Sequence, residues 1–325
     1  MRALFRILRI LLGADPKALA RGAALSLAVL VMGAALLGLS GWVITATGLA
    51  GLAGIGIAFD VFRPGAGVRF LALGRTFARY GERLLTHDAT LRALAALRVS
   101  LLERHGKVGA RGLASLRSEG VLTRLIADVD ALDGVVLRLF LPVVAGLITH
   151  VLVFGFLWWL VGLPVAAAIA AGYLPAAALI IWWLTARGLT PSAVAEAESQ
   201  ALRRGMIDMI RDREALILSG RLGEREAGLV AVDAAARAAA KSLDRADRGA
   251  ASAITALISA VAALSFVAGA WLLSQGQVGA ALAGMGIFVA LALGETVLPL
   301  RRGFGELGQL VKEYARHSRL IANLN

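Results

Sequence analysis

The sequence predicts an all-α membrane protein with six transmembrane helices and two long cytoplasmic helical hairpins. Of its 325 residues, 58% are hydrophobic, whereas soluble domains average about 45–50%. Three stretches contain no Asp, Glu, Lys or Arg, namely residues 22–59, 139–186 and 249–294. A spanning helix needs about 20 apolar residues. The first stretch therefore accommodates one span, and each of the others accommodates two.

The sixth span is assigned to the segment that follows Arg63-Pro64-Gly65. Turns inside the second and third uncharged stretches are predicted at Gly162-Leu163-Pro164 and at Ser274-Gln275-Gly276-Gln277, because Gly and Pro interrupt helices. The predicted spans are residues 20–46, 66–90, 138–161, 164–186, 249–273 and 278–300.

Basic residues are distributed unevenly along the chain, which has a net charge of +12. The tips inside the second and third uncharged stretches carry no Lys or Arg, whereas both termini and the loops 92–138 and 187–248 are rich in them. This is the positive-inside pattern, and it predicts a multi-pass protein with both termini in the cytoplasm. It argues against a nucleic-acid partner. Residues 1–17 are predicted to form an interfacial helix.

The predicted cytoplasmic extensions, residues 91–137 and 187–248, are rich in Ala, Leu, Arg and Glu. Such a composition favours helices that continue beyond the bilayer. Each extension is interrupted near its middle, by "GLASLRSEGV" in the first and around "MIDMIRDREALILSG" in the second. We therefore predict two helical hairpins, each with a short connector at its tip.

The predicted second span contains a row of cationic side chains, within "GRTFARYGERLLTHDATLR". The members of this cationic row, spaced four residues apart, are Arg75, Arg79, Arg83 and His87. Positions four apart drift by about 40° around a helix, so the row winds slowly. A charge at mid-bilayer costs about 2.5 kcal/mol or more, so these side chains need partners, water or a ligand.

Two interpretations of the cationic row remain open. In one, Glu82 and Asp88 pair with some of the arginines and the row is a packing contact. In the other, the row lines a cavity for an anionic, partly apolar substrate whose carboxylates meet the guanidinium groups. Haem fits that cavity because His87 can ligate its iron. Glutathione would use only the arginines.

Several segments resemble the CydC-type subunits of the CydDC exporters, which are ABC transporters. They are "LSGWVITATGLAGLAG", "FRPGAGVRFLALGRTFARYGERLLTHDATLRALAALR" and "LTRLIADVDALDGVVLRLFLP". The resemblance implies an ABC type-1 transmembrane domain over residues 18–320 in a bacterial inner membrane. It also implies membrane lipids and a CydD-like half-transporter as partners. The implied substrate is haem or a thiol, cysteine or glutathione, in support of cytochrome bd and c assembly.

The resemblance also implies roles for individual residues. A haem b site, for a substrate or a bound regulator, falls on His87 as the iron ligand and on Arg83. Arg75, Arg79 and Tyr80 enter only as neighbours of that site. The two connectors are expected to dock onto ATPase domains. Their coupling residues are Ser118, Glu119, Gly120 and Thr123 in the first, and Arg211, Asp212, Arg213 and Glu214 in the second.

No phosphate-loop motif occurs in the sequence. ATP and magnesium are therefore expected to bind only to an ATPase domain that is missing here or lies on a separate chain. No catalytic constellation is found either. Two alternatives remain: a generic ABC exporter domain for lipids or drugs, and a non-transporting membrane protein that binds haem. The lone intramembrane His150 is expected to hydrogen-bond a neighbouring helix.

Overall fold

The computed structural model describes residues 16–106 and 141–300. Every helix and turn reported below lies in these two ranges, which contain no β-strand. The predicted all-α fold is confirmed. Most of the predicted interfacial helix and the whole first connector, with Ser118, Glu119, Gly120 and Thr123, lie outside the described residues.

Seven α-helices account for most of the described residues. In chain order they are α1 (Pro16–Leu52), α2 (Phe62–Gly106), α3 (Leu141–Leu160), α4 (Leu163–Arg211), α5 (Arg213–Leu218), α6 (Leu222–Ser274) and α7 (Ala280–Leu300). A short 3-10 helix, Gly56–Ala58, lies between α1 and α2.

Five of these helices, α1, α3, α4, α6 and α7, contain segments long and apolar enough to cross a membrane. The protein is therefore a membrane protein. Helix α2 is not one of the five, because charged residues recur along residues 66–90. The sixth span in this segment stays a prediction.

Two glycines make the tight turns between consecutive membrane helices. Gly162, between α3 and α4, has φ +132°, and Gly276, between α6 and α7, has φ +68°. Glycine reaches these backbone angles without the steric cost that a Cβ atom brings. The amide of Gly162 donates to the carbonyl of Leu157 at 2.9 Å, and that of Gly276 donates to Leu273 at 2.9 Å. Both turns lie where Gly and Pro predicted them.

The described residues form two compact units. The bundle unit comprises residues 16–106, 141–179 and 253–300, and the hairpin unit comprises residues 180–252. The bundle core consists of side chains that are at most 2% exposed, among them Leu157, Val165, Tyr173, Ile254, Leu272 and Leu293. These residues come from α3, α4, α6 and α7.

Small residues bring α1 close to α7 in the bundle unit. A Cβ atom at Gly38 would lie 2.8 Å from a methyl group of Val289, and one at Gly41 would overlap the ring of Phe288. Such close approach requires glycine at the contact, as is common between membrane helices. The α1–α7 contact matters because it sets the position of α7 beside α2.

In the hairpin unit, α4 and α6 run antiparallel on either side of α5. Gly205 of α4 packs against Leu229 of α6, and a Cβ atom at Gly249 of α6 would lie 3.4 Å from the Trp183 ring of α4. Each pair joins a residue further along α4 to one earlier in α6, as an antiparallel hairpin requires. The predicted second cytoplasmic hairpin therefore has α5 at its tip.

Candidate anion-binding site on helix α2

The cationic row lies on the single unbroken helix α2. The exposed fraction of its side chains rises along the row, from 18% at Arg75 to 45% at Arg79. Arg83 and His87 are both exposed. Three steps of about 40° turn the row by about 120° in all. The row therefore starts in a helix–helix contact and ends on the surface of the chain.

Arg75 is held between three helices. Its Nη2 donates a short hydrogen bond to Oε2 of Glu295, on α7. On its other side, a Cβ atom at Gly33 of α1 would lie only 3.3 Å from the guanidinium carbon. The Nε of Arg75 is buried without a hydrogen-bond partner in the described part of the chain. Arg75 thus links α2 to α7 through charge and to α1 through packing.

Arg79 shares the same carboxylate more loosely. Its Nη2 lies 3.6 Å from Oε2 of Glu295, which is longer than a hydrogen bond of about 2.7–3.2 Å. The contact is therefore an electrostatic attraction without a good hydrogen bond. We refer to Arg75 and Arg79 as the packed half of the row.

Glu295 was not predicted as a partner of the cationic row. The sequence did contain a signal, because Glu295 follows the uncharged stretch 249–294 and is the one charged residue of α7. The carboxylates expected to pair with the row behave differently. Asp88 pairs with Arg92 at 2.8 Å, one turn along α2. Glu82 forms no ion pair with the described residues, although it lies within electrostatic reach of Arg83 and Arg79.

Arg83 and His87 form the open half of the row. Within residues 16–106 and 141–300, neither makes an ion pair or a side-chain hydrogen bond. The helix beneath them is fixed, because the adjacent Thr86 is buried against Gly22 of α1. Tyr80, the other predicted neighbour, is 70% exposed. These groups are thus available to a ligand or to a second protein chain.

His150 has a structural environment in the bundle. Its Nδ1 lies 2.9 Å from the carbonyl oxygen of Gly146, one turn earlier in α3. The expected hydrogen bond to a neighbouring helix is instead made by Tyr173, whose hydroxyl donates to the Ala290 carbonyl at 2.6 Å. The His150 ring packs edge-on against Tyr173 with centroids 5.7 Å apart. The Nε2 of His150 is buried without a hydrogen-bond partner, so the expected bond from His150 to a neighbouring helix is not made among the described residues.

The second predicted set of coupling residues lies where α4 meets α5. Arg211 ends α4, Asp212 precedes α5, and Arg213 and Glu214 begin α5. All four are exposed. The same short helix also exposes two apolar side chains, Ile217 at 52% and Leu218 at 83%. Their exposure was not predicted. The tip of the hairpin unit is therefore both charged and apolar.

His87 is the predicted ligand of a haem iron. Among the described residues, no group of three or more His, Cys, Asp or Glu side chains can hold a metal ion. A single imidazole would still be enough for the protein to hold a haem iron, because the porphyrin supplies four nitrogen ligands of its own. Arg83, one helical turn before His87, has the charge to meet a propionate.

No protein-family model matches the chain. Over 107 residues it is 47% identical to a CydC protein of Haemophilus influenzae, described as a glutathione/L-cysteine transport system ATP-binding/permease protein. The match covers 33% of this chain and 18% of that protein. The predicted resemblance to CydC is confirmed. The CydC protein of Escherichia coli K12, which has the same description, is 40% identical over 135 residues, or 42% of this chain and 23% of that protein. The chain thus matches about a fifth of the length of these CydC relatives.

Proposed function

We propose that this chain is the transmembrane subunit of a CydDC-type ABC transporter that moves an anionic thiol, glutathione or cysteine, across a bacterial inner membrane. The similarity to two CydC proteins described as glutathione/L-cysteine transport permeases supports the substrate class. The observation that carries the proposal is the open half of the cationic row, where an exposed arginine forms no ion pair among the described residues and has only the adjacent Glu82 within electrostatic reach.

The chemistry of the open half suits glutathione. Glutathione carries two carboxylates, and the Arg83 guanidinium can donate two parallel hydrogen bonds to one of them. The exposed ring of Tyr80 supplies apolar surface beside Arg83. Cysteine, with one carboxylate, would make fewer contacts.

Haem is a second candidate because His87 is exposed and its ring is uncommitted within the described residues. Haem b would combine that imidazole with the positive charge of Arg83 for a propionate, either as substrate or as a bound regulator. The two candidates make different use of the same row, because glutathione has no need of His87.

We further propose that a CydD-like half-transporter completes the substrate cavity and that both termini of this chain lie in the cytoplasm. ATPase domains, with ATP and magnesium, would dock on α5 through Arg213, Glu214 and the exposed Ile217 and Leu218. Nucleotide binding would then shift the transporter towards the conformation for which the nucleotide has the higher affinity, and this would change the side to which the cavity opens.

The transport proposal is tested with inside-out membrane vesicles that contain the complete transporter. We expect ATP-dependent uptake of radiolabelled glutathione, reduced about tenfold by Arg83→Ala, because a hydrogen bond to a charged group contributes about 1.5–3 kcal/mol. Arg203→Ala, which removes an exposed arginine of the hairpin unit, is the matched control and should leave uptake unchanged. Uptake that is insensitive to Arg83→Ala would contradict the proposal.

Haem binding is tested separately by titrating the purified transporter with haemin. A Soret shift that is lost in His87→Ala, while glutathione uptake persists, would identify haem as a bound regulator. A shift that survives His87→Ala unchanged would exclude His87 as the iron ligand. If the transporter took up a lipid or a drug, and neither Arg83→Ala nor His87→Ala changed that uptake, the result would favour the generic exporter.

A further inference from the structure

Glu295 occupies an unusual position for a carboxylate. It lies near the end of α7, a helix that is otherwise uncharged, and its side chain is 39% exposed. It faces two guanidinium groups rather than one. A ligand that approaches the cationic row from solvent can therefore reach both Glu295 and the arginines that it neutralises.

The hydrogen-bonding capacity of this cluster is unbalanced. Each arginine carries five N–H donors, whereas a carboxylate has two oxygens. Only the Oε2 atom of Glu295 contacts the arginines, through Arg75 and more weakly through Arg79. The Nε of Arg75 is buried and unpartnered among the described residues. Glu82 of α2 also acts on Arg79 electrostatically but forms no ion pair with it, so the N–H donors of the two arginines still outnumber the carboxylate oxygens that they contact.

The two arginines differ in how firmly they are committed. Arg75 is 18% exposed and is confined by Gly33, so its guanidinium has little room to move. Arg79 is 45% exposed and lies 3.6 Å from the carboxylate, beyond hydrogen-bonding distance. Arg79 is also one turn from Arg83 on the same helix, so a single ligand can reach both. Arg79 is therefore the cation that a ligand can take over.

We propose that Glu295 is the resident counter-ion of the anion site. In the empty site, Glu295 neutralises Arg79. When a ligand binds, its carboxylate displaces Glu295 from Arg79, while the ion pair between Arg75 and Glu295 stays formed. The ligand class is an anion with at least one carboxylate free to meet Arg79 and Arg83. The inference rests on the proposed function only in taking the transported ligand to be anionic. Glu295 thus sets the affinity of the site by competing with the ligand.

The direct test measures equilibrium binding of glutathione to the purified transporter in nanodiscs. Glu295→Gln removes the competing charge and keeps the side-chain shape, so we expect glutathione to bind about tenfold more tightly, the effect of one unit charge a few ångströms away in a partly hydrated site. Glu295→Asp, which keeps the charge, should bind as the wild type does. Adding Arg79→Gln to Glu295→Gln should abolish the gain.

The matched control is Glu224→Gln, which makes the same charge change in an exposed ion pair of the hairpin unit. Glu224 accepts a hydrogen bond from Arg221 at 3.2 Å, far along the chain from the cationic row. This variant should leave glutathione affinity unchanged. If Glu224→Gln and Glu295→Gln increased glutathione affinity equally, the increase would depend only on the net charge of the protein, and the proposal would be overturned.

A second pair of variants covers the case in which Glu295→Gln leaves Arg75 uncompensated and the protein unfolds. Arg75→Gln alone lets Glu295 turn fully to Arg79, so glutathione should bind more weakly than in the wild type. Arg75→Gln with Glu295→Gln replaces the whole pair by neutral amides and should bind about tenfold more tightly than Arg75→Gln alone. Equal affinities in these two variants would overturn the proposal.

S-methylglutathione separates this inference from the proposed function. It keeps both carboxylates but has no thiol, so its binding should tighten in Glu295→Gln as that of glutathione does. If both compounds gain affinity while no ATP-dependent uptake is found, the counter-ion role stands and the transport proposal fails. If uptake of glutathione is found and neither compound gains affinity, transport stands and the counter-ion role fails.

Discussion

Arg75 and Arg83 lie two helical turns apart on α2, in the same row, and have opposite environments. Arg75 is mostly buried, touches α1 and donates to Glu295 of α7. Arg83 is exposed and has no ion-pair partner in the described parts of the chain. The difference arises because the row winds around the helix by about 40° at each step. Chemically identical residues therefore serve packing at one end of the row and are free to bind at the other.

This comparison shows why a cationic row on a single helix should not be given one role. A charge that has a fixed partner contributes to the fold, and its removal leaves the partner uncompensated. A charge that lacks a partner contributes little to the fold and can be used for a ligand. The packed half and the open half should therefore respond differently to the same substitution.

The largest expected effect comes from Arg75→Leu. Breaking a buried ion pair by removing one member lowers the free energy of unfolding by about 3–5 kcal/mol. Because the Glu295 side chain is 39% exposed, we expect a smaller loss here, of about 2 kcal/mol. Arg83→Leu should change the free energy of unfolding by less than about 0.5 kcal/mol. Unfolding of both variants in mixed micelles with increasing SDS measures the contrast. Equal losses would show that the two halves do not differ.

The next effect concerns the geometry of the open half. Arg83→Lys keeps the charge but loses the planar fork that meets a carboxylate with two hydrogen bonds. We expect glutathione to bind about threefold to tenfold more weakly, equivalent to about 1 kcal/mol. Isothermal titration of the purified transporter measures this change. Wild-type affinity in Arg83→Lys would mean that Arg83 acts as a point charge.

An effect of similar size is expected from Gly33→Ala, which narrows the space for Arg75. The added Cβ would lie 3.3 Å from the guanidinium carbon, so Arg75 must shift and its pair with Glu295 weakens. We expect a loss of about 1 kcal/mol in the free energy of unfolding. Gly48→Ala is the matched control on the same helix, because a Cβ there meets no atom within 4 Å. It should be neutral or stabilising by up to about 1 kcal/mol.

The smallest effect is expected at the tip of the hairpin unit. Arg221 and Glu224 form an ion pair at 3.2 Å with side chains that are 68% and 73% exposed. Exposed pairs of this kind contribute about 0–1 kcal/mol, so Arg221→Gln should leave the thermal midpoint almost unchanged. A loss as large as that of Arg75→Leu would mean that this pair is shielded from water in the assembled protein.

The helices and turns were predictable from the sequence because they depend on local composition. Uncharged stretches of sufficient length predict membrane helices, and Gly162 and Gly276 interrupt them where the structure has turns. The interruption near Arg211 likewise predicted the connector, where α5 begins two residues later. The exposure of Ile217 and Leu218 was not predicted, because apolar residues in a short segment look like core residues.

The partner of the cationic row was not predictable in the same way. Glu295 is 220 residues from Arg75 along the chain, and which helices lie side by side is decided by packing contacts such as that of Gly41 with Phe288. Sequence spacing within α2 pointed instead to Glu82 and Asp88, which are near in the chain. For His150, Nδ1 contacts the local carbonyl of Gly146, and Nε2 is buried without a hydrogen-bond partner among the described residues.

The distance of 220 residues between Arg75 and Glu295 also constrains biosynthesis. Ribosomes make α2 long before α7, so a nascent chain carries Arg75 and Arg79 without their carboxylate. Under the prediction that α2 is the sixth span, an uncompensated arginine in the middle of the bilayer would cost at least about 2.5 kcal/mol, so α2 would be favoured near the translocon or the interface until α7 is made. Closure of the bundle therefore has to wait for the last described helix to emerge.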